Sequence, residues 1–483
     1  MTKINFFKIV LLITIFFISY AGFAQDDEGY QFPMGISEND LEELEKMPQK
    51  AVLTRSFYDA VNLPNSYSLK QYAPIPKEQK YGTCAAWATA YAARTIIEAK
   101  ANNWIDKDQI TKNAFSPAFT YRITEPNNKK CKGASTLSVV TSLKMVGALP
   151  LNNWEVDEKE KKEYYCPDEL DVNLSVLASN FKIIDFSKLF SDPKPRGSKT
   201  EKVKLSLSNG NPVVIMMSCP DSFQKITASV WEPKEYPNFG KYGNHAMTVV
   251  SYDNDKFGGA FEIQNSWGTE YADGGYVWIT YKDFNAFVYG AIELFEYVEP
   301  KPDAPLFKGA LSVLNTETNK RLKASLIANE SNNTYKINEP LTDGSRIRFY
   351  LQNEESAYVY MLGTGSVDTS VNKLFPVDGI TALLNYKDNE VPIPSEEHYF
   401  EMDDTVGKDY IILLYSKEIL DINKLLEFLN DSEGNIDKKL FDIFDNQIIT
   451  NKEIQFNENE MKFETFSKDK TKLMSIIIEF NHN

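Results

Sequence analysis

The stretch "GNHAMTVVSYDNDKFGGAFEIQNSWG", residues 243–268, decides how the first half of the chain is read. "HAMTVVSY" has the alternation of a strand, "DNDKFGG" collects turn residues, and "AFEIQN" runs back again. That is the pattern of an antiparallel hairpin. A turn centred near Asp255 sets His245 directly across from Asn265, where cross-strand side chains touch.

Such a pair has chemical meaning, because a cysteine nucleophile needs a base and the base needs a third group to fix its tautomer and orientation. The chain has three histidines, His245, His398 and His482, and the last two lie beyond residue 300. His245 is therefore the one base available to Cys/His chemistry in the first half. Asn265 can accept from one ring nitrogen and leave the other for a thiol, and Trp267, two residues on, can shield that bond from water.

Cys84 is the thiol that fits, in "EQKYGTCAAWATAYAARTIIE", residues 78–98. The alanines favour a helix, with Gly82 or Thr83 as N-cap, so the sulfur lies in the first turn. Exposed N–H groups and the positive end of the helix dipole stabilise a thiolate there. The Cys84 N–H can also hold an oxyanion, with the Gln79 amide as second donor; the neighbouring Glu78 carboxylate would repel it. A cysteine at the head of an apolar helix is by itself more often a core residue. The ordered set of His245, Asn265 and Trp267 favours chemistry.

With these residues in place, the sequence resembles the papain-like cysteine peptidases, in a divergent bacterial form. "NSWG" followed by "DGGYVWI" is similar to that family's asparagine segment and the strand after it. "GNHAMTVVSY" resembles its histidine segment, and "LPNSYSLKQYAPIPKEQ", residues 63–79, resembles the start of the mature enzyme. The resemblance covers roughly residues 62–298. It implies Cys84 as nucleophile, His245 as general base and then acid, Asn265 as orienter and Gln79 as oxyanion donor. It also likens "CKGAS", residues 131–135, to a substrate-binding glycine strip with Gly133 in the second-residue subsite, and puts Trp267 beside the substrate. The family places a cysteine three residues before the nucleophile and an aromatic directly after it; here Tyr81 and Ala85 stand there. Since that upstream partner is missing, a Cys131–Cys166 disulfide is expected, with Cys219 free in the strand "VVIMMSC". His245 and Asn265 follow Cys84 at wider spacing than the family pattern, which implies insertions.

The remaining features set the context. "MTKINFFKIVLLITIFFISYAGFAQ" reads as a secretory signal peptide, residues 1–24, with Lys3 and Lys8 before the apolar run and cleavage after Ala24. No later run approaches the about 20 apolar residues of a membrane span. A secreted protein, periplasmic or extracellular, is the expectation. The formal net charge of −16 argues against nucleic acid or an anionic membrane as partner. Four cysteines in an oxidising compartment permit three full pairings, and a reactive thiol must stay out of them.

Residues 25–61 read as a short acidic pro-segment or N-terminal extension, with "SENDLEELEKM" offering Ser37 and Asp40 as a capping-box-like helix start. All six tryptophans and all four cysteines precede residue 300, and the proline-rich "VEPKPDAP", residues 298–305, marks a boundary. The linker is set at 299–307. Beyond it, residues 308–483 carry β-type runs, "SRIRFYLQN", "AYVYML", "DYIILLYS", "EIQFNE" and "KLMSIIIEF", interrupted by a helical "EILDINKLLEFLN". This part is similar to an uncharacterised β-rich domain appended to bacterial secreted peptidases, and suits a scaffold or a domain that binds an unknown protein or cell-surface partner. The fold expected is α+β: a two-lobed peptidase domain, helical on one side and antiparallel β on the other, then a mostly β, sandwich-like domain.

No cofactor is expected. "DNDKFGG" has oxygen ligands but too few in register for a calcium loop, and no histidine pair has zinc spacing. The expected activity is peptide-bond hydrolysis through an acyl-enzyme. A catalytically silent binding protein on the same fold, or a transpeptidase or amidase using the same residues, remain alternatives.

Overall fold

The strand Val213–Cys219 is buried along its whole length. Val213, Ile215, Met217 and Cys219 enter one apolar core, together with Trp231, Met247 and Trp267. Val214 and Met216 point the other way, into a second core with Cys84, Ala85 and Ala246. A continuously apolar strand suits the centre of a sheet covered on both faces. In the computed structural model, which describes residues 32–483 apart from 38, 52–62, 154–165, 167–172, 195–197, 296–303, 329–332, 386–389, 458–459, 468 and 470, that is its place. The expected signal peptide, most of the expected linker and parts of the expected pro-segment lie outside the described residues.

The sheet runs in the order Asp185–Ser191, Val288–Phe295, Val213–Cys219, Gly243–Asp253, Ala260–Gln264, Tyr276–Thr280 and Val230–Trp231, with Ser66–Ser68 added beside Gly243–Asp253. It is antiparallel except at its end, where Val230–Trp231 lies parallel to Tyr276–Thr280. Against one face lies a helix running through Cys84–Ala86, Trp87–Arg94 and Thr95–Ala101. Its alanines let it approach the strands closely. The middle segment is π-helical, and Thr248 Oγ1, from the adjacent strand, donates to the Ala88 carbonyl at 2.9 Å.

The hairpin of residues 243–268 has a different register from the one expected. Its turn spans six residues, with Asp253 paired to Ala260, and a bulge at Val250 shifts the ladder so that Thr248 pairs with Gln264. Asn265 lies just past the strand end, with its N–H donating to Gly275 O. Its side chain, not its ladder position, reaches His245. The helix near the start is Asp40–Lys46 with Asn39 at its N-cap and no side-chain cap bond, so the expected capping by Ser37 does not form. Asp40 instead accepts the Thr136 N–H, at 2.7 Å, in the first turn of the helix Thr136–Met145.

The second half is β-rich. One sheet is built on Glu390–Ile393, Arg346–Asn353, Lys308–Asn315, Lys462–Thr465 and Ile454–Phe456. The other is built on Ala324–Ala328, Asn333–Ile337, Met474–His482, Gly407–Ser416, Ala357–Gly365 and Asn372–Phe375. Alternate residues of Arg346–Asn353 (Ile347, Phe349, Leu351) and of Met474–His482 meet in a core between the sheets. The helix Ile422–Asp431 is joined by a second, Ile436–Phe444, not anticipated from sequence, and both cover the outer face of the second sheet. That covered face also takes in Phe295 and Ile184 of the first half. No described helix is long and apolar enough to cross a membrane.

Candidate active site

Thr83 is the N-cap residue and Cys84 the first helical residue, fully buried. The backbone N–H groups of Ala246, Gly35 and Ala85 lie where they favour its thiolate form. Ala246 follows His245 on the strand Gly243–Asp253, so the sheet delivers the imidazole beside the helix start.

His245 Nε2 and Asn265 Oδ1 lie 2.8 Å apart. The same Oδ1 accepts the Ser266 N–H at 2.7 Å, which identifies it as the amide oxygen, an acceptor. Nε2 must then carry the proton, and the lone pair is on Nδ1, which has no hydrogen-bond partner among the described residues. Trp267 stacks on the imidazole at 4.5 Å between centroids and 20° between planes, and is itself 2% exposed.

Gln79 is held at three points. Its N–H donates to Ser266 O at 2.8 Å, its Oε1 accepts from Ser266 Oγ at 2.5 Å, and its Nε2 donates to Tyr81 O at 2.9 Å. Ser266 therefore sets which way the amide nitrogen points. Sequence reasoning missed it, although it sits inside "NSWG".

The glycine strip is shifted by one residue. Gly133 has φ +88, a conformation that favours glycine, and its backbone is already engaged. Its N–H donates to Gly82 O at 2.9 Å and its carbonyl accepts from Tyr121 Oη at 2.7 Å. Ala134 is the residue whose N–H and C=O face the cleft. Cys131 and Cys166 are joined in a disulfide just before this strip, whereas Cys84 and Cys219 are free and buried.

A segment of the chain itself lies in the cleft. Phe32 stacks on Trp267 at 4.8 Å, and Pro33 O accepts from Gln79 Nε2 at 2.9 Å. Gly35 O accepts the Ala134 N–H and Ser37 donates to Ala134 O, at 3.1 and 3.2 Å. Beneath this segment burial pushes the Cys84 thiol up to about 11, against the pull of its three N–H donors. Burial likewise lowers His245 to about 4, opposed by Asn265. Both groups are neutral near pH 7 in this arrangement.

Residues 64–288 match a family model described as papain family cysteine protease. Solved structures are also similar, three of them as follows. Xylellain, a cysteine protease from Xylella fastidiosa, is 18% identical over 56% of this chain and 97% of its own, with a TM-score of 0.43. Digestive procathepsin L 3 of the Tenebrio molitor larval midgut is 15% identical over 53% and 77%, at 0.37. The bromelain protease from Ananas comosus, in complex with the E64 inhibitor, is 14% identical over 48% and 100%, at 0.38. No curated protein matches the chain.

Proposed function

We propose that the chain is a cysteine-type peptidase acting on polypeptides and that Cys84, His245 and Asn265 carry the reaction, since residues 64–288 match the papain family of cysteine proteases. The observation behind this is the Asn265 amide that fixes the imidazole proton on Nε2 and leaves the Nδ1 lone pair free, on the strand whose Ala246 shares a core with Cys84.

The steps follow from these atoms. His245 Nδ1 takes the Cys84 proton, and the sulfur attacks the scissile carbonyl carbon, forming a C–S bond. The oxyanion is held by Gln79 Nε2 and the Cys84 N–H. The imidazolium returns its proton to the leaving amine as the C–N bond breaks. Water, deprotonated by His245, then attacks the thioester and releases the acid and the thiol. Ala134 offers its N–H and C=O to the substrate backbone, and Trp267 covers the His245–Asn265 bond.

The same proposal makes residues 1–24 a cleaved signal and the enzyme a bacterial secreted one, periplasmic or extracellular, with residues 62–298 as peptidase domain and 308–483 as accessory domain. Cys84→Ala tests the chemistry: activity against a peptide library should fall by at least about 10³-fold while the fold is kept. Full activity in that variant would exclude the thiol mechanism.

A further inference from the structure

The second sheet of the β-rich half loses its apolar filling at one end. On the face turned to the other sheet, Met361, Leu413 and Ile476 form one cross-strand row of the shared core. The next row is Gly363, Ile411 and Ile478, and the one after it Gly365, Asp409 and Phe480. Beyond that, Gly407 stands opposite His482. Glycines and an acid thus take positions where bulky side chains would close the sandwich. A cavity of about 250 Å³ results, walled by Ile347, Phe349, Leu374, Ile411 and Phe480, with the Asp368, Asp403 and Asp409 carboxylates around it.

Two groups at this end lack hydrogen-bond partners. His482 is 2% exposed, and neither of its ring nitrogens makes a hydrogen bond among the described residues; nor does the buried Asp409 Oδ2. His482 Nδ1 and Asp409 Oδ2 lie 3.3 Å apart but out of hydrogen-bond alignment. Asp403 is close enough to His482 to interact with its charge. Buried polar atoms are costly to leave unpaired, and native proteins seldom do so. A carboxylate oxygen and an imidazole lone pair are acceptors, so their complement is a donor that carries positive charge. Among the described residues no three His, Cys, Asp or Glu side chains converge to hold a metal ion, which leaves an organic cation.

We propose that this cavity binds a lysine or arginine side chain of a polypeptide, which makes the C-terminal domain a capture site for basic segments. The proposal goes beyond the peptidase reading and does not depend on the reactivity of Cys84. The stem of such a side chain is apolar and its head charged, matching apolar walls that end at Asp409. The volume lies below the roughly 300–1,000 Å³ of small-molecule sites and suits a single side chain. Val367 lines the cavity and Val406 stands between two lining residues. At 66% and 65% exposed, they offer a polypeptide an apolar seat that a free amine would leave bare. The cavity's one lysine among the described residues, Lys408, is held by Glu479 at 3.0 Å. Residues 301–483 hold 20 Lys and Arg against 31 Asp and Glu, which also favours a basic partner.

The test is fluorescence anisotropy with the full-length chain carrying Cys84→Ala, which keeps the probe from being hydrolysed. Three labelled peptides, Gly-Ser-Val-X-Val-Ser-Gly with lysine, norleucine or glutamate at X, are titrated with it. The lysine peptide should bind at least about tenfold tighter than the norleucine one, and the glutamate peptide should bind weakest. Asp409→Asn and His482→Gln should each weaken the lysine peptide about tenfold and leave the norleucine peptide unchanged. Asp442→Asn, exposed and outside the cavity, is the charge control and should change neither. Where thermal melts show a cavity variant unfolded, Asp403→Asn on the exposed rim reads the same loss, about threefold, without touching the core. Equal affinity for the lysine and norleucine peptides overturns the proposal, as does a lysine peptide unaffected by the folded cavity variants. A loss as large in Asp442→Asn as in those variants reports the general field of an acidic domain and overturns it too. Displacement of the lysine peptide by n-butylamine as readily as by unlabelled peptide assigns the cavity to free amines and overturns the polypeptide partner.

Discussion

At the scale of single residues, the site depends on groups that aim other groups. Gln79→Ala should lower kcat/KM by about 10²-fold or more through loss of an oxyanion donor. Ser266→Ala leaves that donor present but free to turn. It should cost less, about tenfold, mostly in kcat, and steady-state kinetics would separate the two. Asp40 gives a pH-dependent effect. Burial raises its carboxyl to about 6, with the Glu43 carboxylate adding to the rise and the Thr136 N–H opposing it. A raised acid binds more protons in the folded state, so its contribution to stability is present below pH 3.8 and is lost as pH rises through about 6. Asp40→Asn should therefore stabilise the protein relative to the parent at pH 7, by up to about 3 kcal/mol. The advantage should vanish near pH 4. Paired thermal melts across that range check it; a constant difference would show that Asp40 does not titrate there.

At the scale of elements, what could be read from sequence was what rare residue types or long periodic runs announce. His245 stood out because two of three histidines lie elsewhere, and the alanine run around Cys84 could hardly be other than a helix. The hairpin was legible as a hairpin but not in its register, because the bulge at Val250 and the six-residue turn leave no unambiguous mark in the sequence. Ala134 and Ser266 were invisible for another reason: one acts through its backbone and the other by orienting a neighbour. The helix Ile436–Phe444 was missed because it follows a short break with no alternation to contrast with the helix before it. The Cys131–Cys166 bridge ties the glycine strip to a residue 35 positions on. Closing a loop of that length removes about 3–4 kcal/mol of unfolded-state entropy. Cys131→Ser with Cys166→Ser should lower Tm by several degrees. The reductant dependence of activity should accordingly rise while Cys84 is kept reduced and fall once the bridge opens. An activity that only increases with reductant would show the bridge to be dispensable.

At the scale of the whole molecule, the two halves are linked through residues 48–51, which bond to Lys188 on one side and to Gly379 and Thr381 on the other, as well as directly. Tyr358 Oη, from the β-rich half, lies 3.2 Å from the Asp185 carboxylate of the peptidase sheet, and Lys144 Nζ holds the other oxygen of that carboxylate at 2.7 Å. The neutral, buried Cys84 and His245 belong to a closed state, and exposure should move both toward the thiolate and imidazolium forms. The sequence marks residues 25–61 as a pro-segment or N-terminal extension, but not that residues 32–37 lie against Trp267, Gln79 and Ala134, because those contacts are long-range. The measurement that bears most directly on the chemistry compares cleavage of a peptide library, read by mass spectrometry, by the parent chain and by the same chain carrying Cys84→Ala. Peptide-bond hydrolysis by the first and none by the second is the predicted result; hydrolysis that survives loss of Cys84 would contradict it.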